Sequence, residues 1–150
     1  MEASVDRTGV IVVGVDGSES SMDALRWAAD QAALAHAPLE VVSAWSWPSA
    51  WGREPTWPPG FDPEEQTRTQ LAEVVDSVLG TRHEHDLRQV VVEGHAAEVL
   101  VTAGEGAALL VVGRRGHGAF KDIFMGSVSM HCVAHASCPV VVIHGGPERG

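Results

Sequence analysis

The sequence predicts an α/β domain built on a mostly parallel sheet with helices on both faces. Three observations carry that prediction. Short apolar runs of strand length alternate with segments whose apolar residues recur at helical spacing. Several of these runs are β-branched without polar alternation, the pattern of strands buried on both faces. A helical segment separates each run from the next, as right-handed crossovers between parallel strands require.

The elements follow in order. Val10 to Val13 begin the first strand, which the chain leaves through Gly-Val-Asp-Gly-Ser. Ser18 and Ser20 offer N-cap oxygens to a helix whose apolar positions Leu25, Ala28, Ala29 and Ala32 repeat until Pro38 forbids continuation. Residues 39–45 form strand two. Residues 46–62 hold three of the five tryptophans and four of the eight prolines, a composition no regular element survives. Asp62, Pro63, Glu64 and Glu65 supply an N-cap, a proline at the first helical position and acids at the positive helix end. That helix runs through Leu71, Val74, Val75 and Val78 to Gly80. Strand three spans 87–94, a short helix 96–105 ends in glycine, and strand four closes at Gly113. Ser127 to Ala136 suits a fourth helix, Pro139 blocks its extension, and 140–144 makes strand five.

At 150 residues and 45% hydrophobic, the chain fits one domain spanning 1–150, with residues 1–8 and 145–150 as frayed tails. No apolar run approaches the ~20 residues needed to cross a bilayer. The N-terminus lacks the basic and apolar regions of a signal peptide, so a cytosolic location is expected. Cys132 and Cys138 are too few for a disulfide framework. Twenty acidic against ten basic residues give a formal charge of -10, a field that repels nucleic acid and anionic lipid.

A phosphate-bearing ligand therefore needs local help, and residues 113–129 offer it. Four glycines fall in these seventeen residues, and three of the ten basic residues (Arg114, Arg115 and Lys121) lie within eight consecutive positions. A plain connector in an α/β unit needs only about 2 to 6 residues. The helix starting near Gly126 and Ser127 presents unpaired N–H groups and a positive dipole end. Gly113 and Gly116 allow close backbone approach, and Ser127 and Ser129 add hydroxyls, so the residue types suit a polyphosphate. There is no P-loop lysine motif, and G-x-x-G-x-G differs from the dinucleotide G-x-G-x-x-G. Phosphate charge then falls to backbone, to Arg114 or Arg115, and to a divalent cation, Mg²⁺, if the ligand is a nucleoside triphosphate. The two most glycine-rich strand exits, after strands one and four, stand where ligands bind such sheets.

The spacing Gly113-x2-Gly116-x9-Gly126-Ser127 resembles the G-2x-G-9x-G(S/T) ATP-binding motif of the universal stress protein family, and residues 12–28 resemble that family's first strand and helix. The resemblance covers essentially the whole chain. It implies a five-stranded Rossmann-like or flavodoxin-like sheet of order 3-2-1-4-5, with ATP held between the ends of strands one and four. By position, Asp16 corresponds to the nucleotide-contacting aspartate, with Gly14 beside it. Ala44 aligns with a residue whose backbone reads the adenine edge. Gly113, Gly116, Gly126 and Ser127 correspond to the phosphate-binding residues, with Val128 and Ser129 next at the helix start. Arg114, Arg115, His117 and Gly118 lie between matched positions and complete the candidate set. The family's last strand commonly pairs across a dimer axis, which implies a homodimer, and strand five alone would leave an uncapped edge.

Other features keep two readings. The tryptophans at 45, 47, 51 and 57 either stack over a purine or cover the sheet edge. His131, Cys132, His135 and Cys138 invite a metal, but their spacing is not that of a zinc finger and the resemblance assigns them to packing, so no protein metal site is expected. The function expected is that of an ATP-dependent stress or signalling switch with an unidentified protein partner and at most slow hydrolysis. Near the phosphates only Asp16 and Asp122 offer a base. The alternatives are an ATP-consuming enzyme of nucleotidyl transferase type and a nucleotide-free dimeric interaction module.

Overall fold

The computed structural model describes residues 8–47, 58–80, 86–114 and 125–144. The tail residues 1–7 and 145–150 and the central part of the tryptophan-rich loop, 48–57, lie outside the described residues. The elements are β1 (Ile11–Gly14), α1 (Glu19–Ala35), β2 (Leu39–Trp45), α2 (Pro63–Leu79), β3 (Leu87–Glu93), α3 (Ala96–Ala103), β4 (Leu109–Gly113), α4 (Ser127–His135) and β5 (Val140–Ile143). The five strands form one sheet of order β3-β2-β1-β4-β5. Every strand pair is parallel, with Val13 of β1 opposite Val41 of β2 and Val111 of β4.

Local chemistry fixes the helix ends. Ser18 caps α1 by accepting from the Ser21 N–H, and His36 closes it in the left-handed conformation at φ 52°. Asp62 caps α2 by accepting from the Glu65 N–H, Pro63 stands in its first turn, and Gly80 ends it at φ 61°.

The period-two alternation of the strands divides the core into two layers. Ile11, Val13, Val41 and Val111 face α1 and α2, where they meet Leu25, Ala28, Leu71 and Val75. Val12, Val42, Leu110 and Val112 face α3 and α4, where they meet Val99, Leu100 and Cys132. These strand residues are at most 3% exposed. Burying each such side chain contributes about 1.5–3 kcal/mol, which is why central strands without polar alternation hold the middle of the sheet. The edges are wetter: β5 is half-buried along its length, and Val92 of β3 is exposed. No helix among the described residues is long and apolar enough to cross a membrane.

This topology positions the site. β1 and β4 are neighbours, yet α1 packs on one face and α4 on the other, so the chain parts in opposite directions where these two strands end. A crevice at the carboxyl ends is the result.

Candidate functional site

The β1 exit is held by a chain of short polar contacts. Asp16 Oδ1 accepts from the Ser18 N–H at 2.9 Å and from the Ser18 hydroxyl at 2.6 Å. The Ser21 hydroxyl accepts from the Asp16 N–H at 3.3 Å and donates to the Ser18 carbonyl at 2.9 Å. Gly17 follows at φ 86°, a backbone angle that favours glycine. Asp-Gly-Ser therefore does two things here: it turns the chain into α1 and fixes an exposed carboxylate at the sheet's end.

The β4 exit is pinned on three sides. The Arg114 N–H donates to the Ile143 carbonyl at 2.8 Å, and the Arg114 carbonyl accepts from the Gly126 N–H at 2.7 Å. The segment leaving at Arg114 thus returns to within one hydrogen bond of its start. The Ser129 hydroxyl, on a residue only 3% exposed, reaches the Gly113 carbonyl and the Arg114 carbonyl, the latter at 3.1 Å. Sequence reasoning gave this hydroxyl to the ligand; the structure uses it to tether α4 to β4, leaving the Ser129 amide in the helix's first turn.

At that first turn α4 has Gly126 as its N-cap, no side-chain cap and no acidic residue. Its first helical bond runs from the Met130 N–H to the Gly126 carbonyl. The amides of Ser127, Val128 and Ser129 precede that bond, at the positive end of the helix.

Gly14, Asp16, Ala44, Gly113, Val128 and Ser129 line one cleft of about 90 Å³, together with Ala96 and Leu100 of α3. Both of its glycines are closely packed, Gly113 against backbone and Gly14 against a side chain. A Cβ at Gly14 would stand 2.6 Å from Leu100 Cδ1, and a Cβ at Gly113 would stand 2.7 Å from the Ser20 carbonyl carbon. Arg114, Gly126 and Ser127 sit at the stems beside this cleft without lining it. Arg115, Gly116, His117 and Gly118 lie outside the described residues, as does Lys121.

A second cleft of about 280 Å³ adjoins the first, shares Val15 and Asp16 with it, and extends to Thr67, Gln70, Glu73 and Val74 of α2. The α2 and α3 walls escaped sequence reasoning. The available signal was topological: in a parallel sheet β2 and β3 end on the same edge as β1 and β4, so the helices that follow them also border the crevice.

The residues of the metal reading lie on α4 and just after it. Cys132 is fully buried in the apolar layer, where burial first and the neighbouring Cys138 second push its thiol up to about 11. Burial raises the Cys138 thiol as well. The His131 and His135 rings lie 4.4 Å apart on α4. Among the described residues no group of three or more His, Cys, Asp or Glu is placed to hold a metal ion.

The comparisons with known proteins match this architecture. A model described as the universal stress protein family matches residues 8–144. A universal stress protein of Mycolicibacterium smegmatis is 34% identical over 144 residues, covering 90% of this chain and 48% of that protein. One from Mycobacterium tuberculosis strain H37Rv is 36% identical over 141 residues, covering 89% of this chain and 47% of its own length. The chain thus spans about half the length of the curated relatives it matches. A universal stress protein solved in complex with cAMP superimposes with a TM-score of 0.69 at 25% identity, covering 93% of this chain and 99% of that one. A family member from Burkholderia pseudomallei does so with a TM-score of 0.63 at 28% identity, covering 93% and 98%. Sheet order, crevice and a match that runs across nearly all of its residues lead to one conclusion: the chain belongs to the universal stress protein family.

Proposed function

We propose that the chain binds ATP with Mg²⁺ at the β1–β4 crevice and works as a nucleotide-dependent stress or signalling switch with at most slow hydrolysis. One observation carries the reading: four separate elements bring Gly14, Asp16, Ala44, Gly113, Val128 and Ser129 to a single cleft. Sequence positions 99 residues apart, 14 and 113, meet there because β1 and β4 are adjacent. The cAMP complex of a 25% identical family member lends weight to an adenine nucleotide as the ligand class.

The residues present fit a triphosphate. The α4 start supplies amides without a side-chain cap and no acidic residue to repel phosphate. Asp16 supplies a carboxylate toward a ribose hydroxyl or a hydrated cation, and the backbone at Ala44 lies beside it for the base. Mg²⁺, when bound with the nucleotide, would neutralise phosphate charge; it keeps several waters and needs no all-protein cage. Arg114 and Arg115 would add positive charge, with Gly116, His117 and Gly118 completing the loop between them and Gly126.

A switch suits the chemistry better than a fast enzyme. Among the described residues lining this cleft Asp16 is the one titratable group, whereas rapid turnover calls for a positioned acid–base pair. The relatives, too, are named as stress proteins and by no catalysed reaction. We place the homodimer contact at β5, an edge strand flanked by α4, whose Met130 and Val133 are 59% and 55% exposed. Sedimentation should then give twice 15.9 kDa.

Heat-denaturing freshly purified protein and identifying the released small molecules by mass tests the ligand. ATP or ADP is expected; an extract free of nucleotide, from protein that also fails to take up added ATP, would favour the interaction-module reading.

A further inference from the structure

Small-molecule sites usually occupy roughly 300–1,000 Å³. At about 90 Å³ the cleft between the β1 and β4 exits is smaller than that. A nucleotide seated with its adenine edge at the Ala44 backbone and its phosphates at the α4 amides therefore lies partly outside the cleft. Its base then extends over the rim where β2 ends.

The β2 and β3 exits form that rim together. Ala44 pairs with Val92 and Trp45 with Glu93, and the Gly94 N–H donates to the Trp45 carbonyl at 2.8 Å. Gly94 turns at φ 143°, a backbone angle that favours glycine, and the chain enters α3 on the sheet face to which Ala44 also belongs. His95 is the next residue and the N-cap of α3, and Ala96 beside it lines the cleft with Ala44. The topology thus sets His95 at the mouth of the cleft, on its base side.

Neither α3 nor the core claims the imidazole. His95 is exposed and makes no side-chain capping hydrogen bond. The described tryptophans near this rim are engaged elsewhere. Period-two alternation carries Trp45 with Leu39, Val41 and Ser43 to the opposite sheet face, and its indole meets Trp47 edge-on with ring centroids 5.9 Å apart.

We infer that His95 is the base-stacking residue of the nucleotide site: its imidazole lies flat on the outer face of the adenine, while Ala96 and Leu100 back the inner face. Histidine stacks on bases as other flat aromatic side chains do, and the contact needs no particular hydrogen-bonding edge. Ala44 remains the reader of that edge. This inference rests on the nucleotide reading above and deepens it by naming what holds the base.

Titration calorimetry of the full chain with ATP and Mg²⁺ compares the natural protein with His95→Ala and His95→Phe. His95→Ala should bind ATP about tenfold more weakly, the scale of one base stacked on an aromatic side chain, and His95→Phe should restore most of the loss because it keeps a flat ring. The side chain caps nothing and is exposed, so both variants should keep the natural denaturation midpoint. Proton NMR separates contact from a structural effect. The imidazole C–H signal missing from His95→Ala should move upfield when the natural protein takes up ATP, under the ring current of the purine, and stay in place with inorganic tripolyphosphate. Unchanged ATP affinity in His95→Ala, an equal loss in both variants, or a signal that ATP leaves in place would overturn the stacking role and leave nucleotide binding standing. Failure of the natural chain to bind ATP would remove the nucleotide reading itself, and this inference with it.

Discussion

Gly113 at the end of β4 lies against the first turn of α1 so closely that a methyl group there would stand 2.7 Å from both the carbonyl carbon and the carbonyl oxygen of Ser20. This contact ties the phosphate-side stem to the helix that follows Asp16. Backbone cannot step aside as a side chain can. Gly113→Ala should cost about 1–3 kcal/mol of stability, as overpacking does. At Gly14 the obstacle is the flexible end of Leu100, so Gly14→Ala should cost less. Urea denaturation of the two variants checks the ranking; equal midpoints would deny the close approach of β4 to α1.

Ser129→Ala removes the hydroxyl that holds the Gly113 and Arg114 carbonyls to α4. A loss of about 1–2 kcal/mol is expected, the scale of a buried hydrogen bond left unmade. Because the Ser129 amide is kept, nucleotide affinity in the folded variant should fall much less than stability. Parallel denaturation and binding titrations separate the two effects.

Ser18 both caps α1 and donates to Asp16, so Ser18→Ala should lower stability by about 1 kcal/mol. Asp16→Asn keeps an oxygen able to accept from Ser18 and should leave the denaturation midpoint nearly unchanged. The same substitution removes the cleft's carboxylate and should weaken binding of Mg²⁺ and ATP together. A large loss of stability in Asp16→Asn would assign the carboxylate to the fold instead.

Stability should also fall in alkali. Cys132 holds its proton up to about 11 in the folded chain against an ordinary value of 9.0. Between those values the unfolded chain releases a proton that the folded chain retains, so unfolding gains and ΔG of unfolding declines as pH rises from 9 to 11. The chain has no tyrosine, and Lys121 is its single lysine, so few other groups titrate in that window. Denaturation midpoints at pH 8, 9.5 and 11 check this, and Cys132→Val should flatten the slope.

Much of this was legible before any coordinates. β1 announced itself because a continuous β-branched run suits a doubly covered strand, β4 because a short apolar run ends in glycine, and Asp62-Pro63-Glu64-Glu65 marked the start of α2 through capping chemistry alone. The parallel pairing of Gly113 next to the β1 exit followed from crossovers, and its place beside Asp16 from strand order. What stayed hidden depends on three-dimensional proximity. No sequence spacing says that Ser20 would block a side chain at 113, that Ser129 turns its hydroxyl inward, or that Gln70 and Glu73 share a cleft with Asp16. Of the motif itself, the span from Arg115 to Gly118 lies outside the described residues, so its part in binding rests on chemistry at its two stems.

The central claim is that the amides opening α4, together with Asp16 across the crevice, hold the phosphates and sugar of ATP. Isothermal titration of the full chain with ATP and Mg²⁺ tests it most directly. The account predicts saturable heat with one site per chain, weakened when Gly126 is replaced by a larger residue. No heat of association at millimolar ATP would contradict it and leave the fold without the assigned ligand.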